Sequence, residues 1–385
     1  QLDRLGGTRW KSVRSKAKQA AEKIAGQLLE LHAERLATTV EPASAPDELF
    51  AQFEATFPYA ETPDQDRAVR EVLADMQKTR PMDRVVCGDV GFGKTEVALR
   101  AAFKAVEDGR QVAVLVPTTI LAEQHYLTMK DRLRDFPVQV SQLSRFVPRK
   151  EQSGILAGMR DGTVDIVVGT HRLLQPDIRF QNLGLVVIDE EHRFGVKNKE
   201  RLKSLRAEVD VLTLTATPIP RTLHMSLMGI RDLSIIATAP AGRQVVETQV
   251  MNRDDPGVRA GIERELKRGG QVYFVTPRVR GINILVEDLE KLAPEARVAV
   301  AHGQMPARDL EKVMRAFIRG EVDLLVSTNI IESGIDVPNA NTMFVDQADR
   351  FGLAQLYQLR GRIGRSSRKA YCNFLVPEIR AMTQD

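Results

Sequence analysis

The chain has 385 residues, of which 43% are hydrophobic and 28% are charged, and its formal net charge is +4. At roughly 100–200 residues per domain, this length suggests two or three domains, and the composition is ordinary for a soluble globular protein. No apolar run approaches the ~20 residues that a membrane-spanning helix needs, and residues 1–7 carry no signal-peptide pattern. We therefore expect a cytoplasmic protein without a membrane partner. The small positive charge is compatible with nucleic-acid binding, but many proteins that do not bind nucleic acid have it too.

The cysteines and the first residue bear on the redox state of the protein and on the extent of the chain. Cys87 and Cys372 are the only cysteines, and each lies in an apolar stretch that is typical of a strand. We therefore expect a reduced protein without disulfides or a zinc cluster. The chain begins at Gln1 rather than at a methionine, so we expect it to be part of a longer protein.

Residues 8–37 are predicted to form one long helix. Apolar residues recur there at spacings of three and four and give one stripe, while lysines and arginines cover the rest. Residues 41–46 contain two prolines and are predicted to be a linker. Packing of the stripe against the next domain is the simpler interpretation, and a dedicated partner surface is the alternative.

Short apolar runs alternate with helical patterns through the remaining chain. They are rich in Val, Ile and Leu without polar alternation, so both faces should be buried, as in a parallel sheet with helices on both sides. The first set comprises residues 85–87, 112–116, 138–143, 166–168, 185–188 and 211–214, and the second comprises residues 272–275, 298–301, 324–327, 343–345 and 371–376. Residues 239–242, between the sets, are a plausible hinge. We predict an α/β fold with two lobes, each a mainly parallel sheet with helices on both faces, and domains at residues 1–46, 47–240 and 241–385.

A phosphate-binding loop follows the first apolar run. It matches the GxxxxGK[ST] pattern and lies between a predicted strand and a predicted helix, the context that the motif requires. Backbone N–H groups would wrap the phosphates, Lys94 would reach the β- and γ-phosphates, and the Thr95 hydroxyl would hold Mg²⁺. A structural glycine turn is the alternative interpretation. The predicted ATP-binding residues here are Gly88, Asp89, Val90, Gly91, Phe92, Gly93, Lys94, Thr95 and Glu96.

An acidic cluster follows the apolar run at residues 185–188. Carboxylates at the end of such a strand lie where α/β sheets bind ligands. Asp189 would hold Mg²⁺, directly or through water, and Glu190 would orient and deprotonate the attacking water. Alone, such a cluster is most often a solvated loop, but together with the phosphate loop it indicates an ATP-hydrolysing site.

Two weaker signals lie before and after these motifs. The Gln65 amide suits an adenine edge, and Phe57 or Tyr59 would stack on the ring, although starts of helices often look the same. Among the glycines of residues 358–365, arginines at fixed spacing would point at one phosphate group as arginine fingers. A solvated basic loop is the alternative for that segment.

The order of these motifs resembles that of superfamily 2 helicases along essentially the whole chain. The matching motifs lie at residues 62–65, 88–95, 117–119, 169–171, 189–192, 215–217, 333–336 and 358–365. Longer strings at residues 189–196 and 215–223 are similar to the branch that contains RecG and the transcription-repair coupling factor (Mfd) family. Those at residues 87–98, 231–238 and 351–356, with the Leu-Gly-Gly turn before Trp10, resemble the coupling factors in particular.

The resemblance implies two RecA-like lobes that form a double-stranded DNA translocase using ATP and Mg²⁺. Motif by motif, it assigns ATP roles to Lys94, Thr95, Asp189, Glu190, Gln65, Gly334, Asp336, Arg362 and Arg365. It assigns contacts with DNA phosphates to Thr118, Arg145, Thr170, His171, Arg172 and Thr328. These six are short hydroxyls and cations at strand ends, which suit backbone contacts that ignore base sequence.

Three functions stay open at this point. The first is coupling-factor translocation, which displaces a stalled RNA polymerase and links it to nucleotide-excision repair. There the polymerase and the damage-recognition protein would be contacted through regions outside this chain, and the protein would be a monomer. The second is RecG-like remodelling of replication forks. The third is a nucleic-acid-binding module with ATP only as a switch, which the intact Lys94, Glu190, Arg362 and Arg365 disfavour.

Overall fold

The computed structural model describes residues 33–145, 147–191, 194, 202, 208–216, 231–240, 245–328, 335–364 and 368–377, and the single positions 12, 15 and 26. These residues form two β-sheets, each buried under apolar clusters on both faces. We call the first sheet with its helices the first lobe, and the second sheet with its helices the second lobe. Within the described residues, no helix is long and apolar enough to span a bilayer.

The first lobe comprises the elements between residues 48 and 236. Its strands are β1 (Asp83–Gly88), β2 (Gln111–Leu115), β3 (Val140–Leu143), β4 (Ile166–Gly169), β5 (Leu183–Asp189), β6 (Asp210–Thr215) and β7 (Asp232–Ile236). Its helices with described bounds are α1 (Glu48–Ala55), α2 (Pro63–Met76), α3 (Lys94–Glu107), α4 (Thr119–Arg132) and α5 (Arg149–Asp161). A 3₁₀ turn at His171–Leu174 follows β4.

The strands of the first sheet run in the order β3-β4-β2-β5-β6-β1-β7, and every neighbouring pair is parallel. Burial on both faces is visible on β2, where Val112 and Val114 pack on one face and Ala113 and Leu115 on the other. Because all strands are parallel, their carboxyl ends meet at one edge of the sheet. The loops that follow β1, β2, β3, β4 and β5 therefore gather at that edge.

The second lobe repeats this plan. Its strands are β8 (Glu247–Asn252), β9 (Gln271–Val275), β10 (Val298–Ala301), β11 (Leu324–Ser327), β12 (Ala340–Val345) and β13 (Tyr371–Val376), in the parallel order β10-β11-β9-β12-β13-β8. Its helices with described bounds are α6 (Pro256–Lys267), α7 (Ile282–Leu292), α8 (Ala307–Ile318) and α9 (Leu353–Arg360). On β9, Tyr273 and Val275 pack into one cluster and Val272 and Phe274 into the opposite one.

The predicted fold class is confirmed, and each of the eleven apolar runs falls on a strand. Sequence reasoning missed β7 and β8, each of which lies at the edge of its sheet. An edge strand has one neighbour and is partly open to solvent, so its side chains need not form a continuous apolar run. Ile235 of β7 and Val250 of β8 are indeed exposed.

The predicted N-terminal helix lies mostly outside the described residues. Positions 12, 15, 26 and 33–37 are helical. At its end, Arg35 donates to the carbonyl oxygen of Pro81 at 2.8 Å and lies 3.6 Å from the Asp83 carboxylate, so this end packs against the first lobe. The two sheets lie on either side of residues 239–242, while the domain boundaries at residues 46/47 and 240/241 stay predictions.

Candidate nucleotide site and interlobe cleft

The phosphate loop connects β1 to α3. Its backbone takes a left-handed conformation at Gly91 (φ 80°) and Gly93 (φ 83°), which favours glycine. A Cβ atom on Gly93 would lie only 2.3 Å from the Gln65 amide nitrogen, so a larger residue at position 93 would also displace that amide. The Asp89 carboxylate accepts from the N–H of Val90 at 2.7 Å and holds the turn. Within the described residues no side chain caps α3, so its first N–H groups suit an anionic ligand.

Lys94 is held by the loop itself. Its Nζ donates to the carbonyl oxygens of Gly88 at 2.6 Å and Asp89 at 2.9 Å. Burial lowers the pKa of this ammonium, while the nearby Asp189 and Glu190 carboxylates act in the opposite direction. A bound phosphate would give Lys94 an anionic partner in place of these two carbonyls.

Gln65 of α2 contacts the phosphate loop. Its Oε1 accepts from the Thr62 N–H at 2.9 Å, and Thr62 in turn caps α2, so the two residues form a capping box. Its Nε2 donates to the Phe92 carbonyl oxygen at 2.9 Å. In this arrangement the buried amide supports the loop, and its predicted contact with adenine stays a prediction.

Two further predicted ATP residues take part in a cationic cluster. Glu96 accepts from Arg132 at 2.8 Å and from Arg100 at 3.2 Å. The same two guanidinium groups lie 5.7 Å from the centroid of the Phe57 ring, and Tyr59 meets that ring edge-on at 5.5 Å. Glu96 therefore balances two arginines here. Stacking of Phe57 on adenine is untested.

Asp189 ends β5 at the carboxyl edge of the sheet. The His125 imidazole, on α4, places its Nε2 3.1 Å from Asp189 Oδ2. Burial alone would raise the pKa of this carboxyl, but the hydrogen bond from His125 and the positive charges of Lys94 and Arg362 outweigh burial and lower it. Asp189 is therefore held as a carboxylate by groups from both lobes.

Glu190 follows in an uncommon backbone conformation. Its φ is 53°, a region that non-glycine residues rarely occupy, and its N–H donates to the Leu214 carbonyl oxygen on β6 at 3.2 Å. The side chain is buried. Such strain persists only where the surroundings fix it, and it clusters at functional sites.

The residues present fit a magnesium ion bound together with a nucleotide. Thr95, in the first turn of α3, offers a hydroxyl oxygen and Asp189 a carboxylate. Mg²⁺ prefers hard oxygen ligands and usually takes one or two from the protein and the rest from phosphates and water. Thr95 and Asp189 are thus the residues that would hold it.

The second lobe contributes to the same site. Arg362, just after α9, is buried and lies close enough to Asp189 for its charge to act on that carboxylate. The Asp336 backbone pairs with Gln124 of α4: Gln124 Nε2 donates to the Asp336 carbonyl at 2.7 Å, and the Asp336 N–H donates back to Oε1 at 3.1 Å. Gly334 and Arg365 lie outside the described residues.

Five of the six predicted DNA-contacting residues line one cleft of about 760 Å³ between the lobes. They come from the loops after β2, β3 and β4, and α8 of the second lobe forms the opposite wall. The sixth, Thr328, follows β11 and is not among the lining residues. The lining members of the predicted set are Thr118, Arg145, Thr170, His171 and Arg172.

Two arginines of this cleft, Arg145 and Arg172, already have partners within the chain. Arg145 forms an ion pair with the buried Glu311 of α8, and Glu311 also accepts from the Thr119 hydroxyl. Arg172 is bound through two nitrogens to Asp177, at 2.6 and 2.5 Å. DNA phosphates would therefore compete with carboxylates for both arginines.

Sequence reasoning missed Gln124, His125 and Glu311. His125 follows the helix-capping Thr118 by seven residues, which puts both on the same face of α4. That spacing was the only signal, and a lone histidine in a helix is usually structural. Nothing local connects Glu311 to Arg145, which precedes it by 166 residues.

Comparisons with known proteins agree with this arrangement. The family model described as "DEAD/DEAH box helicase" matches residues 62–226, and the model described as "Helicase conserved C-terminal domain" matches residues 258–367. These two matches cover the cleft and the nucleotide site apart from Phe57 and Tyr59.

The chain is similar over its full length to curated relatives named transcription-repair-coupling factor. It is 54% identical over 384 residues to that of Bacillus subtilis (strain 168), covering 100% of this chain and 33% of the relative. It is 55% identical over 385 residues to that of Myxococcus xanthus, covering 100% and 32%. The chain thus spans about a third of the length of these relatives.

Solved structures share the fold. RecG bound to a three-way DNA junction matches with a TM-score of 0.80 and 37% identity over 97% of this chain and 51% of that one. Saccharomyces cerevisiae Dbp5 bound to RNA and ADP BeF3 matches with a TM-score of 0.61 and 18% identity over 87% and 88%, which supports the fold alone. The predicted RecA-like character of the lobes is therefore confirmed. The chain belongs to the superfamily 2 helicases, in the group that contains the transcription-repair coupling factors.

Proposed function

We propose that this chain is the ATP-dependent double-stranded DNA translocase motor of a transcription-repair coupling factor. The observation that carries the proposal is the surroundings of Asp189, on which Lys94 and His125 of the first lobe and Arg362 of the second all act. A site completed by both lobes makes hydrolysis depend on how the lobes are placed, as a motor requires. The similarity to coupling factors over all of this chain supports the same conclusion.

In this proposal, residues near the carboxyl edge of the first sheet and arginines of the second lobe share the work of hydrolysis. The N–H groups at the start of α3 and the Lys94 ammonium bind the phosphates of ATP. Thr95 and Asp189 hold Mg²⁺, which neutralises phosphate charge when bound. Glu190 accepts a proton from the attacking water, a role worth about 10²–10⁴-fold in rate. Arg362 and Arg365 stabilise the charge that develops on the transferred phosphoryl group.

Movement along DNA follows from the position of the cleft. The first wall, with Arg145 and Arg172, belongs to one lobe and α8 belongs to the other, so any change in lobe placement on ATP binding alters the grip on DNA. Contacts to phosphates carry no base sequence. The motor should therefore act on any duplex, with an affinity that falls steeply with salt.

The cellular role is proposed for the longer protein. A duplex translocase of this type would push a stalled RNA polymerase and link it to a damage-recognition protein of nucleotide-excision repair. Those partners would be contacted by regions other than residues 1–385. In that setting the protein would act as a monomer in the bacterial cytoplasm.

A RecG-like role in fork remodelling is the second candidate. It is favoured by the structural similarity to RecG, which was solved on a three-way DNA junction. Higher identity to the coupling factors, 54% against 37%, favours the first candidate.

The deciding experiment measures ATP hydrolysis by this chain with linear duplex, a three-way junction, single-stranded DNA, RNA and no nucleic acid. We expect linear duplex to stimulate the rate as well as the junction does. A response to the junction alone would support fork remodelling instead. A rate that no nucleic acid changes, or a rate equal to that of a Lys94→Ala variant, would contradict a motor function.

A further inference from the structure

Helix α4 lies between the two lobes and contacts both. Its first residue, Thr119, donates to Glu311 of α8, and Glu123 pairs with Arg315 of α8 at 2.8 Å. Two further side chains of α4, Gln124 and His125, have no step of their own in the hydrolysis proposed above.

His125 reaches from α4 to the acidic end of β5. Its side chain is buried, and its Nε2 lies 3.1 Å from Asp189 Oδ2. Since the carboxylate can only accept, the imidazole must carry its proton on Nε2. This bond fixes the rotation of the carboxylate about its Cβ–Cγ axis. Groups that orient a metal-binding carboxylate in this way typically change metal affinity or activity by about 10–100-fold when removed.

Gln124, the preceding residue, reaches the second lobe. Its amide makes both of its hydrogen bonds to the backbone of Asp336 in the second lobe, at 2.7 and 3.1 Å. A paired amide–peptide contact of this kind fixes distance and orientation together. Because residues 124 and 125 are consecutive in one helix, the second lobe and the Asp189 carboxylate are joined through a single rigid turn of α4.

We propose that His125 is a positioning residue, which holds Asp189 for the metal–nucleotide complex, and that Gln124 ties this orientation to the placement of the second lobe. The inference rests on the proposed function, since it assumes that Asp189 serves Mg²⁺ and ATP. It adds a route by which lobe placement acts on the metal-binding carboxylate through α4, separate from the arginines.

The first experiment distinguishes the loss of the Nε2 hydrogen-bond donor of His125 from the loss of its side-chain volume. In His125→Gln the amide nitrogen lies near the position of Nε2, whereas in His125→Asn it lies near Nδ1 and cannot reach Asp189. We measure the affinity for a fluorescent ADP with and without Mg²⁺, together with duplex-stimulated ATP hydrolysis. His125→Asn should lose about 10-fold or more of the gain that Mg²⁺ gives to ADP affinity and should keep its Mg²⁺-free affinity. His125→Gln should restore most of the gain.

Equal losses in His125→Gln and His125→Asn, or no loss in either, would overturn the positioning role, because then the Nε2 donor is not what matters. Leu127→Ala, on the exposed side of the same helix, is the matched control and should behave as the parent chain. Asp189→Asn distinguishes the two proposals. If it loses the Mg²⁺ gain while His125→Asn keeps it, only the positioning role fails. If Asp189→Asn keeps the gain, the assignment of Asp189 in the proposed function fails as well.

The second experiment tests the link to the second lobe by a double-mutant cycle. Gln124→Ala alone should lower duplex-stimulated kcat by about 5-fold or more. In the double variant with His125→Asn, the two losses should combine to less than their product, because both variants break the same connection. A fully multiplicative combination would remove Gln124 from the proposal.

Discussion

The two ends of the first sheet each hold an aspartate, and the surroundings shift the pKa values of the two carboxyls in opposite directions. Asp189 lies at the carboxyl end of β5, where His125, Lys94 and Arg362 overcome burial and lower its pKa. Asp210 begins the neighbouring strand β6 at the opposite edge, where burial raises its pKa from 3.8 to about 6. At the edge where a nucleotide would bind, neighbouring cations and a hydrogen bond therefore outweigh burial of the carboxyl, and around Asp210 they do not. Substitutions at that edge should alter activity, while those at the other edge should alter stability.

The largest effect is expected for Arg362→Ala. Its charge reaches Asp189 from the second lobe, and an arginine that stabilises phosphoryl transfer is worth about 10³–10⁵ in rate. The variant should lose duplex-stimulated hydrolysis while its affinity for ADP changes little. Arg368→Ala is the control, since Arg368 lies beyond the site and donates to the Arg268 carbonyl. A large loss of ADP affinity with an unchanged maximal rate would make Arg362 a binding residue only.

Glu190→Gln should lower kcat by about 10²–10⁴-fold, because the amide keeps the shape of the side chain but cannot accept the proton. Equilibrium binding of ATP should remain close to that of the parent chain. Lys94→Ala should instead weaken nucleotide affinity directly, because it removes the ammonium that binds the phosphates. Turnover by Glu190→Gln within a few-fold of the parent rate would remove Glu190 as the catalytic carboxylate.

The candidate nucleotide-binding residues at the carboxyl edge of the first sheet could be predicted from the sequence where they are neighbours in the chain. Residues 88–95 lie in one unbroken motif after a buried strand, and Asp189 with Glu190 follows another such strand. Parallel strands bring these segments together whatever the intervening chain. The eleven apolar runs indicated the strands for the same reason, since burial on both faces leaves a continuous pattern.

What could not be predicted depends on residues that are far apart in the chain. Glu311 meets Arg145 and Gln124 meets Asp336 across the lobe boundary, and no local pattern records which helix of one lobe faces the other. Edge strands β7 and β8 lack the apolar pattern because they are partly exposed. The motif at Gln65 likewise did not indicate that its amide bonds to Phe92, 27 residues away, and so supports the phosphate loop.

An intermediate effect is expected in the cleft, where Glu311→Gln should strengthen duplex DNA binding by about 5-fold or more. The buried carboxylate pairs with Arg145 in this arrangement, so removing its charge removes one anionic competitor for a DNA phosphate at this arginine. Asp177→Asn is the comparison variant at Arg172: the Asp177 carboxylate is exposed, so solvent screens its charge more than that of the buried Glu311 and the gain should be smaller. DNA affinity measured against salt concentration checks both variants. Equal gains in the two would mean that net charge, and not the Glu311–Arg145 pair, governs binding.

The smallest change is expected at the opposite edge of the sheet. Asp210 accepts from the Met82 N–H at 2.6 Å, and its nearest cation, Arg110, is 4.0 Å away. Because its pKa is about 6 in the folded chain and near 3.9 when unfolded, the folded state binds more protons between these values. Stability is therefore lost as pH rises from about 4 to about 6.

Asparagine keeps the acceptor for the Met82 N–H without the buried charge, so Asp210→Asn should be the more stable protein above pH 6. A pKa rise of about two units corresponds to about 3 kcal/mol, or a Tm gain of a few degrees in a protein of this size. The gain should disappear near pH 4, where the parent carboxyl is protonated in the folded state, and duplex-stimulated hydrolysis should be unchanged. Thermal unfolding of the parent, Asp210→Asn and Asp189→Asn at pH 8 and pH 4 measures this. A Tm gain for Asp189→Asn at pH 8 as large as that for Asp210→Asn would contradict the contrast between the two edges, because it would mean that the cations around Asp189 do not compensate its burial.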